Sequence, residues 1–248
     1  RTRVLTYGFH ADADVRGAED QVTLEGGVPV GVACKVIVGG SVIPLHLRGC
    51  VGYGHLSAAL AAIAVGTARG MHLVEISHAL ETYVPPPGRL RLLAGIRQTI
   101  ILDDTYNASP LAVVVALEAL RTLPIIGRRF VMLGDMLELG ASTEHEHRHM
   151  GELVATCAPE LLVTVGEASR DLAAGARDAG MADERIVTFA DALSAARFVQ
   201  DRLAPGDAVL IKGSQGIRME RATRELLADP LRAHELLCRQ DAGWLTRS

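Results

Sequence analysis

Hydrophobic and polar positions change rhythm once along this chain of 248 residues. Up to about residue 50 the period is two. Val30, Val32, Cys34 and Val36 alternate with other residues, which sets one face of a strand into a core. Residues 4–7, 22–24, 30–37 and 42–47 are the predicted strands, in an antiparallel pattern turned by Gly26-Gly27 and Gly39-Gly40. Two helices follow. Residues 55–68 are Ala-rich and apolar on nearly every side, which predicts burial all round. In the second helix, over about 73–83, Leu73, Ile76 and Leu80 share a face, and Pro85-Pro86-Pro87-Gly88 ends helical structure.

From Thr99 the rhythm becomes strict alternation of short apolar runs with helical periods. Residues 99–102, 130–133, 161–165, 185–188 and 208–211 read as strands, and 110–123, 144–157, 168–179, 191–203 and 218–227 as the helices between and after them. Such alternation implies βαβ units, hence an α/β fold with a doubly wound, mostly parallel sheet. A smaller β-rich and helical part precedes it. The boundary is expected between Arg89 and Gln98, giving domains 1–95 and 96–248.

Composition narrows the function classes. Lys and Arg number 25 against 29 Asp and Glu, so no basic patch points to nucleic acid. Aromatic residues are 4 % of the chain, too few for base-stacking platforms. Cys34, Cys50, Cys157 and Cys238 are scattered without a CxxC pair, which argues against a zinc site and fits a reducing, cytoplasmic setting. The longest apolar stretch, around 56–65, is too short for membrane insertion, and no signal peptide is visible. The opening Arg1-Thr2-Arg3, without an initiator Met, reads as that of a fragment or a processed chain.

The chemistry sits where predicted strands end. The run Thr99–Leu102 stops at Asp103-Asp104-Thr105-Tyr106-Asn107, and Ser109-Pro110 then supplies an N-cap and an N1 proline for the next helix. Gly134-Asp135-Met136-Leu137-Glu138-Leu139-Gly140, Gly166-Glu167 and Lys212-Gly213-Ser214-Gln215-Gly216 follow later strands. In an open α/β sheet these tips share the ligand-binding rim. The Lys212 loop joins a strand to a helix, so its glycines and charge suit a carboxylate or phosphate, although no G-x-x-x-x-G-K-[ST] loop occurs in the sequence. His145, His147 and His149 mimic a metal cluster. Thr143 and Glu146 form a capping-box pattern that puts them in an exposed first turn, leaving His147 as a hydrogen-bonding candidate rather than a metal ligand. Arg89, beside the three prolines, suits a bidentate phosphate contact. The N–H groups of 52–55, which open the Ala-rich helix, are a further candidate ligand contact.

Three segments carry a family resemblance: Asp103 to Pro110, Leu133 to Gly140, and Lys212-Gly213-Ser214-Gln215-Gly216-Ile217-Arg218-Met219-Glu220. Pro87-Gly88-Arg89-Leu90, Thr6-Tyr7-Gly8 and Ala11-Asp12-Ala13-Asp14-Val15 fit as well. Their order and separation resemble the Mur ligases, and within them the members that add D-alanyl-D-alanine. The resemblance implies a Rossmann-like C-terminal domain preceded by the end of an ATP-binding central domain. It implies an ADP-forming ligase of peptidoglycan precursor synthesis. ATP phosphorylates the carboxylate of UDP-N-acetylmuramoyl-tripeptide, and the amine of D-alanyl-D-alanine attacks the acyl phosphate. ATP and Mg²⁺ are the implied cofactors, with the Mg²⁺ ligands expected mainly in segments missing upstream of this chain.

Residue by residue, the resemblance gives Asp104 to the nucleotide ribose and Arg89 to its phosphates. Tyr106 and Asn107 would line the cleft. Asp135, His147, Lys212 and Ser214 would face the acceptor dipeptide and the reacting carboxylate. Relatives usually carry His-Asn or His-Gln toward adenine where this chain has Gly54-His55, so His55 is the residue left for that contact. Without a phosphate loop, the chain alone is expected to be inactive, and no complete catalytic set is assigned to it. Two alternatives stay open. One is another Mur-type ligase, adding a diamino acid or glutamate; the other is a non-catalytic nucleotide- or peptide-binding module. A nicotinamide-dependent oxidoreductase is disfavoured, because no G-x-G-x-x-G follows a strand.

Overall fold

The structure, a computed structural model, describes residues 4–246. Arg1 to Arg3, read above as a fragment's opening, lie outside the described residues. Two units divide between Pro85 and Pro86.

In the first unit β1 (Tyr7–Gly8), β2 (Val15–Glu25), β3 (Val28–Val38) and β4 (Ser41–Arg48) form one sheet in chain order. Pairing of β2, β3 and β4 is antiparallel as the alternation predicts, but β1 lies parallel to β2. Val15, Val32, Cys34, Val36, Leu45 and Leu47 are buried on one side of this sheet. Only the far end of β2 is legible in the sequence. A register shift between Ala18 and Gln21 breaks the two-residue period, and Glu19 there has φ 54°. Helices α1 (Tyr53–Ala68) and α2 (Leu73–Glu81) complete the unit. Contrary to expectation α1 is not covered all round: Leu56, Leu60 and Ile63 are buried, whereas Val65 is 64 % exposed.

The second unit is a six-stranded sheet. It comprises β5 (Arg91–Gly95), β6 (Thr99–Asp104), β7 (Arg129–Gly134), β8 (Leu161–Val165), β9 (Ile186–Phe189) and β10 (Ala208–Lys212) in the order β5-β6-β10-β7-β8-β9. All pairings are parallel except β5 with β6. Every residue of β8 and β10 is buried, as expected for central strands covered on both faces. The sequence-based boundary near Arg89 to Gln98 falls inside this unit. The five residues of β5 hide directly behind the proline stop, yet they hydrogen-bond along the edge of the second sheet.

Helices α3 (Pro110–Thr122), α4 (Thr143–Thr156) and α5 (Ser169–Asp178) pack one against the next, and α6 (Ala192–Gln200) packs on α7 (Glu220–Leu226). Short turns α8 (Ala233–Leu236) and α9 (Ala242–Leu245) follow. The close fit of α4 on α5 relies on Gly151, where a Cβ would overlap the Leu172 carbonyl oxygen. Strand β10 is last in sequence but inserts between β6 and β7. The chain therefore leaves β6 and β7 for the α3–α4 layer and leaves β10 for the α6–α7 layer. In open α/β sheets such a reversal is where the ligand-binding crevice forms, at the carboxyl ends of these strands.

Candidate functional site

Asp103 and Asp104 end β6, and strand alternation sends their side chains to opposite faces. Asp103 is fully buried. Its Oδ1 accepts from the hydroxyls of Thr105 at 2.8 Å and Thr223 at 3.0 Å, and its Oδ2 from the Gly88 N–H at 2.9 Å. Burial pushes this carboxyl up to about 6; neighbouring Asp104 adds to the rise, and the three hydrogen bonds oppose it.

Asp104 faces β10, whose register pairs it with Lys212. Lys212 Nζ donates to Asp104 Oδ2 at 2.6 Å and to the Asn107 carbonyl at 2.8 Å. The Leu90 N–H donates to Asp104 Oδ1 at 3.1 Å. Lys212 is 2 % exposed, so it is a neutralised bolt between two strand tips rather than the free point charge expected of this loop. A carboxylate offers about four acceptor positions. Two on Asp104 are taken here, which leaves capacity for hydroxyl donors at the rim.

Around this pair the turn is closely fitted. Gly88 has φ 72°, accepts the Tyr106 N–H at 3.1 Å, and would place a Cβ 2.7 Å from the Tyr106 nitrogen. Only glycine suits that approach. Arg89 then lies over the Tyr106 ring at 4.2 Å, a cation–π pair with both side chains exposed. Asn107 Oδ1 accepts the Ala108 N–H at 2.9 Å, and Ser109 caps α3 through the Ala112 N–H with Pro110 at N1, as the sequence indicates.

The other tips interlock. Ser214 Oγ accepts the Leu137 N–H at 2.8 Å and donates to the Ala108 carbonyl at 3.4 Å, and the Ser214 N–H donates to the Asp135 carbonyl at 3.0 Å. The Asp135 carboxylate turns away from Lys212 toward β8, where it accepts the N–H groups of Ser169 at 2.6 Å and Glu167 at 3.2 Å. His147 is fully buried. Its Nε2 accepts the Met136 N–H at 3.0 Å and its Nδ1 meets the Thr143 carbonyl at 2.7 Å, which assigns the ring proton to Nδ1.

Arg89, Asp104, Tyr106, Asn107, Lys212 and Ser214 thus meet in one crevice. Asp135 and His147 brace its wall from behind, with their side-chain polar atoms already engaged by the protein. His55 belongs to the first unit, where its Nδ1 is 3.0 Å from the Tyr83 hydroxyl. Two expectations about α4 are corrected. Its N-cap is Ser142 and no capping side-chain bond forms; the Thr143 hydroxyl turns back to the Gly140 carbonyl. His147 is in the core rather than in an exposed turn, because 147, 150, 151 and 154 form the helix's buried stripe. Among the described residues no group of three or more His, Cys, Asp or Glu is placed to hold a metal ion.

Sequence reasoning missed a second layer. Glu220, 1 % exposed, accepts from Arg218 Nε at 2.6 Å and from Arg239 Nη1 at 3.2 Å. Glu220 could have been noticed, since the predicted helix 218–227 puts an acid beside Met219 and Ala222. Nothing local marks Arg239.

Against this geometry stand the comparisons with known proteins. The family profile described as "Mur ligase, glutamate ligase domain" matches residues 88–215. A UDP-N-acetylmuramoyl-tripeptide–D-alanyl-D-alanine ligase of Bacillus subtilis is 28 % identical over 173 residues, covering 70 % of this chain and 38 % of that protein. The ligase of the same name from Synechocystis is 29 % identical over 229 residues, covering 92 % and 45 %. Among solved structures, a MurF ligase of Thermotoga maritima in complex with ADP aligns with a TM-score of 0.74 at 22 % identity, over 93 % of this chain and 49 % of that one. The chain therefore spans less than half the length of each of these proteins. The profile match covers more than half of the chain and includes the tips carrying Arg89, Asp104, Asp135 and Lys212, so the chain belongs to the Mur ligase family.

Proposed function

We propose that the crevice at β6, β7 and β10 is the nucleotide- and acceptor-facing side of an ATP-dependent, ADP-forming ligase. Its reaction adds D-alanyl-D-alanine to UDP-N-acetylmuramoyl-tripeptide in cytoplasmic peptidoglycan precursor synthesis. The observation that carries the reading is the buried Asp104–Lys212 pair with the Arg89–Tyr106 stack beside it, at the sheet's reversal point. The matched relatives named for this reaction support it.

In this reading a tripeptide carboxylate oxygen attacks the γ-phosphorus of ATP, giving an acyl phosphate and ADP. The dipeptide amine then attacks the acyl carbon, phosphate leaves, and the nitrogen gives up its proton as the amide forms. Arg89 supplies a planar cation to the nucleotide phosphates. The free acceptor positions of Asp104 take the ribose hydroxyls, and Tyr106 with Asn107 forms the rim. Asp135, Ser214, Lys212 and His147 hold the acceptor wall in shape. His55 and the first unit are assigned to the end of the ATP-binding central domain. Mg²⁺ does not fit the residues present. Asp104 is tied to Lys212, and Asp103 to two hydroxyls and an amide, whereas Mg²⁺ takes a near-octahedral set of oxygens.

Titration calorimetry with ADP tests the nucleotide side, and a coupled ADP-release assay with both substrates tests turnover. Saturable ADP binding without turnover by the chain alone is the expected result. Absence of ADP binding would overturn the proposal. Binding of D-alanyl-D-alanine with no response to ADP would favour a peptide-binding module instead.

A further inference from the structure

The residue that governs the Tyr106 turn comes from the far end of the chain. Arg239 is 8 % exposed and stands in the left-handed region at φ 56°. Its Nη1 donates to the Thr105 carbonyl at 2.9 Å, and its Nη2 donates to the Tyr106 carbonyl. Those two carbonyls belong to the turn between Asp104 and Asn107. A planar guanidinium meets two adjacent carbonyls with two separate nitrogens held in a fixed fork, whereas an ammonium offers its donors from a single rotatable point. Glu220 holds Arg239 from the other side, and Arg218 holds Glu220.

Stability alone is a poor account of this residue. Its φ is unfavourable for a side chain with a Cβ. Its Nε is buried with no hydrogen-bond partner among the described residues. Strain and unsatisfied polar groups concentrate where a site needs a fixed shape. The shape fixed here has a direct consequence. With the Tyr106 backbone locked by Arg239, the Tyr106 ring stays under the Arg89 guanidinium, and the ring centroid remains 5.4 Å from Arg239 itself.

We propose that Arg239 is a positioning residue for nucleotide binding: by clamping the Thr105 and Tyr106 carbonyls it fixes the ring on which Arg89 is presented to the phosphates. Arg239 acts through Tyr106 and Arg89 and touches no nucleotide. The inference rests on the nucleotide reading above.

The test compares the parent chain with Arg239→Lys, Arg89→Ala and the double variant. Arg239→Lys keeps a cation beside Glu220 and removes the fork. Its urea midpoint should stay close to the parent's, while the Kd for ADP rises about tenfold, the size of one charge-assisted hydrogen bond. Arg89→Ala added to Arg239→Lys should weaken ADP binding little further, because both lie on one line of action. Losses that multiply independently, or an unchanged Kd in Arg239→Lys, would overturn the proposal. A second readout needs no ligand. In tyrosine-labelled protein, Arg89→Ala should shift the Tyr106 ring resonances in the parent and much less in Arg239→Lys; equal shifts in both would overturn the clamp. If the parent binds no ADP, the nucleotide reading fails, and the resonances still decide whether Arg239 sets Tyr106 under Arg89. Glu220→Gln guards against a fold-specific failure of Arg239→Lys: with Arg239 intact but less firmly held, it should reproduce the same resonance changes in weaker form, and their absence would count against the clamp.

Discussion

Replacing Lys212 with Met removes one member of a buried ion pair and leaves the other. At 2.6 Å and an effective dielectric of about 20, the Lys212–Asp104 attraction is roughly 6 kcal/mol. Desolvation costs several kcal/mol for each ion, so the intact pair nearly breaks even. Lys212→Met discards the attraction but keeps the desolvated carboxylate of Asp104, which is 7 % exposed. The expected loss is about 3–5 kcal/mol. Asp104→Asn alone strands the ammonium between an amide and the Asn107 carbonyl, for about 2–3 kcal/mol. The double variant holds no stranded charge and keeps an acceptor for the Leu90 N–H. It should lose only about 1–2 kcal/mol, mostly the Lys212 bond to the Asn107 carbonyl. Urea unfolding followed by tryptophan fluorescence reads this directly, because Trp244 is the sole tryptophan and belongs to the second unit. Additivity of the two single losses to within about 0.5 kcal/mol would refute the reasoning, since independent sites add to that accuracy.

Two further predictions concern the neighbours of that pair. Asp103 has a carboxyl near 6 in the folded chain against 3.8 as its ordinary value, so the folded state binds its proton more tightly. Its contribution is therefore largest below pH 3.8, declines as pH rises toward 6, and stays lost above, by about 3 kcal/mol in all. Asp103→Asn cannot ionise, and the stability difference between variant and parent should move in the variant's favour by about that amount from pH 4 to pH 7; an equal difference at both pH values in urea titrations would count against it. Gly88→Ala forces an L side chain to φ 72° and against the Tyr106 nitrogen, which should cost about 1–2 kcal/mol or more. The same variant should weaken ADP binding by displacing Tyr106 from Arg89, and calorimetry showing parental affinity would contradict the role given to that turn.

Much of the second unit was legible because its strands are short, apolar and covered on both faces. The run 208–211 lies within Ala208–Lys212, and 161–165 coincides with Leu161–Val165. The misses have local causes. Strand β5 is masked by the prolines before it, and the bulge at Glu19 hides the first half of β2. The placement of His147 was recoverable, since the spacing with Met150, Gly151 and Val154 is that of a core face; the charged residues between them concealed it. The tips carrying Asp104 and Lys212 were visible because charge follows abruptly on an apolar run. Arg239 was not, as its two carbonyl partners lie 134 and 133 residues away, a contact that no window along the sequence contains.

Charges buried at the crevice also explain one another. Asp103, Asp104, Lys212, Glu220, Arg218 and Arg239 are each less than 9 % exposed. Apolar side chains of similar volume often replace buried ion pairs with no loss of stability, or with a gain. What apolar packing cannot supply is direction. Asp103 ties the Gly88 amide and α7 to β6, Lys212 ties β10 to the Asn107 carbonyl, and Arg239 ties the C-terminal segment to Thr105 and Tyr106. Each bond terminates on the turn between Asp104 and Asn107 or on the strand that leads into it. A turn fixed from three elements presents its exposed groups, Tyr106 and Asn107, and the Arg89 stacked on Tyr106, with little left to order when a ligand arrives, and a preorganised surface binds with a smaller entropic cost. The network's worth should accordingly show in ligand affinity more than in folding stability. For the pair replacement Asp104→Asn with Lys212→Met, that means the modest loss of about 1–2 kcal/mol given above together with a clear loss of ADP binding.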